Sequence, residues 1–312
     1  MESFFIALNA VMPMFLYMCF GYIIKAAGIA DEDFLRRLNG VIFKAFFPIL
    51  MFNNIYKTNL GQSLNVKLMV FAVTVLVLLT VISMAIVPKI IKENPVRGVF
   101  IQSIFRSNFV LFGTALAASV YGSENLGVVS VVTAVVAPTL NILAVIVLET
   151  FRGGEVKLKN IITGICKNPL IVGVVAGMIY NLLPISTPDF LEKSVKDLAS
   201  ITTPLALLVL GGTLKFSSIS KNLKFIVPSV FLKLIGVPIA TVILGVFLGF
   251  TGIELFTILV LFGSPCAAAS YAMAQSMGGD FELAGQLIAI STVISIFTMF
   301  IFIFILNSMA FL

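Results

Sequence analysis

The sequence predicts an all-α membrane protein: ten transmembrane helices forming a 5+5 inverted repeat, with helices 4 and 9 broken and crossing. Three observations predict it. Sixty per cent of the 312 residues are hydrophobic and only eleven per cent are charged, far from the balance of a soluble globular domain. Mean hydropathy is +1.13, and the apolar runs are about twenty residues long, enough to cross the hydrocarbon core as helices. The second half also repeats the first. Ser107, in Arg106-Ser107-Asn108-Phe109, falls on Ser264, in Gly263-Ser264-Pro265-Cys266, at an offset of 157. That offset carries Ala115-Leu116-Ala117 onto Ala272-Met273-Ala274, Gly122 onto Gly279 and Leu126 onto Leu283, while an offset of 156 aligns Pro13, Gly21 and Pro48 with Pro169, Gly177 and Pro204.

The ten runs lie at 4–26, 39–56, 66–90, 98–121, 125–149, 161–183, 195–214, 223–249, 254–276 and 281–308. They divide into a first repeat, 1–150, a short cytoplasmic linker, 151–160, built on Arg152-Gly153-Gly154-Glu155, and a second repeat, 161–312. An odd number of spans per half inserts the second copy upside down. That is the architecture of a secondary carrier, with its substrate site near the midplane.

Taken in order, span 1 has Glu2 and no basic residue before it, with Lys25 at its far end, the reverse of a signal peptide. Span 2 carries Lys44, positioned to snorkel to the interface. It also carries Pro48, a helix kink or hinge matched by Pro204, and Asn53 and Asn54, which either line a cavity or bond across helices. Span 4 reads Gln102-Ser103-Ile104-Phe105-Arg106-Ser107-Asn108-Phe109, then Gly113-Thr114. In span 5, Asn141 follows Pro138; in span 7, Thr202-Thr203 precedes Pro204; both sites suit bonding between helices. Span 8 carries Lys233, which reads like Lys44. Span 9 reads Phe262-Gly263-Ser264-Pro265-Cys266, then Ala267-Ala268-Ala269-Ser270-Tyr271. Its alanines suit close helix packing.

The net charge of +6 reflects topology rather than a nucleic-acid partner. Loops after spans 1, 3, 5 and 7 hold thirteen Lys and Arg, against four on the other side and three within spans. The positive-inside rule then places both termini on the non-cytoplasmic side. There is no His, and the three cysteines, Cys19, Cys166 and Cys266, lack motif spacing. Neither a metal site, nor a cofactor site, nor a disulfide framework is expected, and an enzyme would have to rely on Lys233 or Tyr271 alone.

Spans 4 and 9 place polar, Gly and Pro residues in mid-membrane, where irregular backbone is tolerated only if buried in protein or lining a cavity. A broken helix frees N–H groups at the start of its second half, and that end is partly positive. Two such ends meeting at the centre suit a carboxylate. Arg106 adds a full charge. It lies nine residues beyond Arg97, or ~13 Å along a helix, roughly midway through the core. There it either faces a substrate anion or snorkels. Asn108 either contacts substrate or bonds across helices.

Together, Ser107-Asn108 in span 4, Ser264-Pro265 with Ser270-Tyr271-Ala272-Met273-Ala274 in span 9, and Thr292 with Ser295 in span 10 resemble the auxin efflux carrier family. That family includes bacterial malate-type permeases and plant PIN exporters. The resemblance covers essentially the whole chain. It implies crossing broken helices, a scaffold domain, elevator-like alternating access and a homodimer. It also implies that Asn108 matches the asparagine that contacts the substrate carboxylate in PIN-like members. The plant pattern has proline at both crossings. Here only span 9 keeps one, Pro265, so the span 4 break rests on Arg106, Ser107, Asn108 and Gly113.

The expectation is a carrier for a small organic anion such as malate in the cytoplasmic membrane, running as potential-driven efflux. An anion leaving a cell that is negative inside gains ~2.3 kcal/mol per charge per 100 mV. The expected substrate site is Arg106, Ser107, Asn108, Ser264, Pro265, Ser270, Tyr271, Asn53 and Asn54, with hinges at Gly113, Pro48, Pro204 and Gly263. The rivals are a sodium- or proton-coupled symporter on the bile-acid-transporter-like architecture, a channel, and a membrane sensor that binds without transporting.

Overall fold

The computed structural model describes residues 2–56, 65–122, 127–152, 158–183, 187–215 and 218–312. Leu126 and residues 153–157 of the expected linker lie outside them. Among the described residues every regular element is a helix, and one isolated β-bridge joins two of the breaks.

The first apolar helix is α1 (Glu2–Ala26). α2 (Glu32–Val41) opens on Asp31, whose carboxylate accepts the Phe34 N–H at 2.6 Å, an N-cap for donors the helix cannot satisfy itself. It continues through a π-helical turn, Ile42–Phe46, into α3 (Phe47–Tyr56). α4 (Val66–Ile90) is capped by Asn65. α5 (Asn94–Phe105) and α6 (Phe109–Tyr121) follow, then α7 (Gly127–Thr150). α8 (Leu158–Lys167) and α9 (Pro169–Leu182) are separated at Asn168, which caps α9 while Pro169 starts it, the position where a missing N–H costs least. α10 (Asp189–Thr213) contains Pro204. α11 (Ile219–Phe231) passes through a second π turn, Leu232–Gly236, into α12 (Val237–Phe247). α13 (Gly252–Gly263), α14 (Ala269–Met277) and α15 (Phe281–Ser308) complete the chain.

Both π turns end two residues before a proline, Pro48 in one case and Pro238 in the other. Proline cannot supply the backbone N–H of an α-helical bond, and a wider turn lets the helix continue past it. The glycines that close α6 and α14 in positive φ are Gly122 (+81°) and Gly278 (+77°). Their ψ angles differ, 157° at Gly122 and 21° at Gly278, so only Gly278 closes its helix in the left-handed α conformation.

Among the described residues six helical stretches are long and apolar enough to cross a membrane: Glu32–Tyr56, Val66–Ile90, Gly127–Thr150, Asp189–Thr213, Ile219–Phe247 and Phe281–Ser308. Shorter apolar helices run over Met12–Ala26, Pro169–Leu182 and Gly252–Gly263. Their outward faces are apolar: Phe20, Ile23, Val70, Ile86, Phe247 and Phe304 are all exposed.

Two groups of helices can be distinguished by how they touch. α1 packs on α10, and α3 packs on both α9 and α10. A β-carbon on Gly21 would lie 1.8 Å from the Leu208 carbonyl oxygen, one on Gly211 1.9 Å from that of Met18, and one on Gly173 2.3 Å from that of Pro48. These helices meet backbone to backbone, as small residues permit in lipid. The second group, α4, α7, α11, α12 and α15, surrounds the two interrupted helices, α5–α6 and α13–α14, and α15 also packs on α1.

Candidate substrate site at the helix crossing

α5 ends at Phe105 and α6 begins at Phe109; α13 ends at Gly263 and α14 begins at Ala269. The two gaps meet. Ser107 and Cys266 form an antiparallel bridge, and the Asn108 N–H donates to the Pro265 carbonyl at 2.9 Å. The local cause in the second gap is Pro265, which has no N–H and drives Ser264 into extended backbone (φ −63°, ψ 151°). The first gap needs no proline. Arg106 is also extended (φ −80°, ψ 111°), and a backbone bond lost to the helix is replaced by the one from Asn108 to the facing gap, as a buried N–H requires.

A cavity of about 60 Å³ lies at this crossing, lined by Asn54, Arg106, Ser107, Asn108, Asn141, Thr203 and Ala267–Ala269, among others. The amino-terminal ends of α6 and α14 both border it, each carrying about half a positive charge. Arg106 adds a full charge and is only 3% exposed. One guanidinium nitrogen, Nη2, donates to the Asn141 side-chain oxygen at 2.8 Å, and Nη1 rests against the Met273 sulfur. Among the described residues Arg106 makes no ion pair. The Asn141 amide nitrogen donates to the Ala137 carbonyl at 2.8 Å and faces the Met51 sulfur at 2.9 Å; that of Asn108 faces the Met14 sulfur at 3.7 Å. Thioethers are weak acceptors, so these donors are held without being committed. A carboxylate entering the cavity would outcompete each of the three methionines.

Residues 6–303 match the family described as membrane transport protein. The chain belongs to that family, the auxin efflux carriers. It is also 24% identical to an uncharacterized transporter of Methanocaldococcus jannaschii, over 93% of this chain and 96% of that protein. The protein is therefore a membrane transporter, and its apolar helices make it an integral membrane protein.

Within this transporter the residues expected at the site separate into two sets. Arg106, Ser107, Asn108 and Asn54 line the cavity; Asn53 does not. Pro265 acts through its carbonyl. Ser264 is fully buried, and its hydroxyl returns to the Val260 carbonyl of its own helix. Ser270 and Tyr271 lie on α14 outside the lining. Tyr271 packs edge-on to Phe281, with ring centroids 6.1 Å apart, and its buried hydroxyl has no hydrogen-bond partner among the described residues.

Gly263 is the last residue of α13, at the break. Gly113 is not part of the other one. It sits inside α6, where a β-carbon would meet Phe109 at 2.9 Å and Val129 at 3.1 Å, so its role is close packing. Pro48 follows a π turn in α3 and Pro204 lies within α10, both in the glycine-packed group.

Two expectations about polar residues also change. Asn141 and Thr203 line the cavity, as do the alanines 267–269 that resembled packing residues. Lys44 is exposed, as snorkelling requires, but Lys233 is fully buried. The π turn that holds Lys233 packs against α5, α13 and α15, with Lys233 on its buried side and Leu232 exposed. Ser291 was not anticipated: its hydroxyl accepts the Cys266 N–H at 3.1 Å and so supports the second break from α15.

Proposed function

We propose that this transporter is a secondary carrier for a small organic anion, with a carboxylate such as malate as the leading substrate class. The observation that carries this reading is the convergence of Arg106, the Asn108 and Asn141 amides and two positive helix ends on one cavity with no carboxylate among its described lining residues. The cavity's volume of about 60 Å³ is well below the ~300–1,000 Å³ of a ligand-holding pocket. Substrate entry on this reading requires the helices around the crossing to part from α3 and α10, which supply Asn54 and Thr203. The glycine-packed group α1, α3, α9 and α10 is suited to be the static scaffold of an elevator-like movement.

Contact symmetry supports an inverted repeat of ten spans, with halves 1–150 and 161–312 and broken spans 4 and 9. Gly21 packs on Leu208, and Gly177 packs on Phe52; adding 156 to 21 and 52 gives 177 and 208. At the crossing, Asn108 bonds Pro265, its own mate at offset 157, as a two-fold axis through that contact requires. The positive-inside distribution supports both termini lying on the non-cytoplasmic side.

Uptake of labelled malate into proteoliposomes, with an imposed potential and no ion gradient, tests the proposal. Saturable flux that follows the potential supports an uncoupled anion carrier. Flux that starts only when sodium or proton gradients are added replaces it with a coupled symporter. Binding without flux under every gradient identifies a sensor.

A further inference from the structure

Lys233 is a buried charge that the candidate site does not use. It is 0% exposed, and among the described residues its ammonium has no hydrogen-bond partner and no ion pair. An unpaired ammonium in a membrane protein's interior is costly unless fixed dipoles offset it.

Its surroundings supply such dipoles. Ser229, one turn earlier on the same helix, shares a 2.5 Å hydroxyl–hydroxyl bond with Ser103 in the last turn of α5. Cys266, in the break after α13, is within electrostatic reach of Lys233, and its thiol donates to the Ser103 carbonyl at 3.6 Å. Lys233 thus sits where the carboxyl-terminal ends of α5 and α13 come together. The last carbonyls of each half-helix lack helical partners, and each end carries about half a negative charge. The charged residues of α5, α13 and α15, namely Arg97, Glu254 and Glu282, all lie toward the opposite ends of those helices.

The crossing is therefore polarised: the amino ends of α6 and α14 border the cavity, and the carboxyl ends of α5 and α13 border Lys233. In carriers with broken helices, unwound carbonyls and half-helix carboxyl ends are where a coupling cation binds. We propose that Lys233 is a built-in cation, whose ammonium serves both carboxyl ends in place of a diffusible ion, so that neither the folded crossing nor transport requires sodium.

The test measures thermal unfolding of the purified full-length protein in sodium chloride and in choline chloride at equal ionic strength. The wild type should melt at the same temperature in both. Lys233→Ser, which removes the ammonium and leaves space and an oxygen, should melt lower in choline and be raised several degrees by sodium, saturably. A wild type stabilised specifically by sodium, or a Lys233→Ser variant that melts alike in both salts, overturns the proposal.

Should Lys233→Ser fold in neither salt, Lys233→Met decides. If folded, its loss of malate flux supports a required charge, and flux at the wild-type rate overturns it. Only the flux measurement rests on the carrier reading. The melting measurement needs no substrate, so the two ideas fail separately.

Discussion

Arg106 and Asn141 show how much of this site depends on single side chains. With Asn141 as its neutral acceptor, Arg106 remains available to the anion proposed as substrate. Arg106→Ala should lower malate flux in proteoliposomes by about 30-fold or more, the ~2–5 kcal/mol expected when one member of a buried charge pair is truncated. Arg106→Lys should recover only part of that loss, because an ammonium cannot reproduce the planar fork. Asn141→Leu removes the acceptor and should cost ~1–3 kcal/mol in thermal stability together with a raised KM; an unchanged KM would place Asn141 outside the binding step. Arg106 and Asn108 were legible because a charge and an amide in mid-membrane demand an explanation. Asn141 and Thr203 were not, since a polar residue within an otherwise regular apolar helix looks the same whether it faces a cavity or a neighbouring helix. Lys233 departs from the snorkelling expectation for a related reason. Distance along the sequence shows how deep a lysine lies in the bilayer, but not which way it faces.

The elements were easier to read than their faces. The expected runs 66–90 and 281–308 coincide with α4 and α15, because long apolar stretches between polar caps leave little choice of boundary. The interruptions at 106–108 and 264–268 also fall where the polar and proline residues placed them. How they join was not legible, and a cross-link tests it. Ser107→Cys, with Cys19 and Cys166 replaced by serine, should form an intramolecular disulfide with the native Cys266 on mild oxidation, detected by mass after alkylation. Residues directly opposite in an antiparallel bridge lie ~4.5–5.5 Å apart at Cα, within disulfide range. Failure to cross-link would argue against the Ser107–Cys266 pairing. The contact between α1 and α10 permits a second test. Gly211→Leu would drive a side chain against the Met18 carbonyl and should lower the melting temperature in detergent, at the ~1–3 kcal/mol typical of overpacking or above it.

At the scale of the whole molecule, the charge asymmetry predicts that a reporter fused to the carboxyl terminus is active only on the non-cytoplasmic side, and activity on the cytoplasmic side would invert the topology. The sequence by itself determined that the chain is helical and membrane-embedded, and where its two helix breaks fall. Each of these follows from local rules: apolar length, the missing N–H of proline, and the cost of polar backbone in lipid. Tertiary structure alone decided which half-helix ends face each other, which asparagine answers Arg106, and that Lys233 turns inward. Those outcomes depend on how distant segments are rotated and packed, and glycine contacts, π turns and the pairing of the two gaps set that rotation only once the chain has folded.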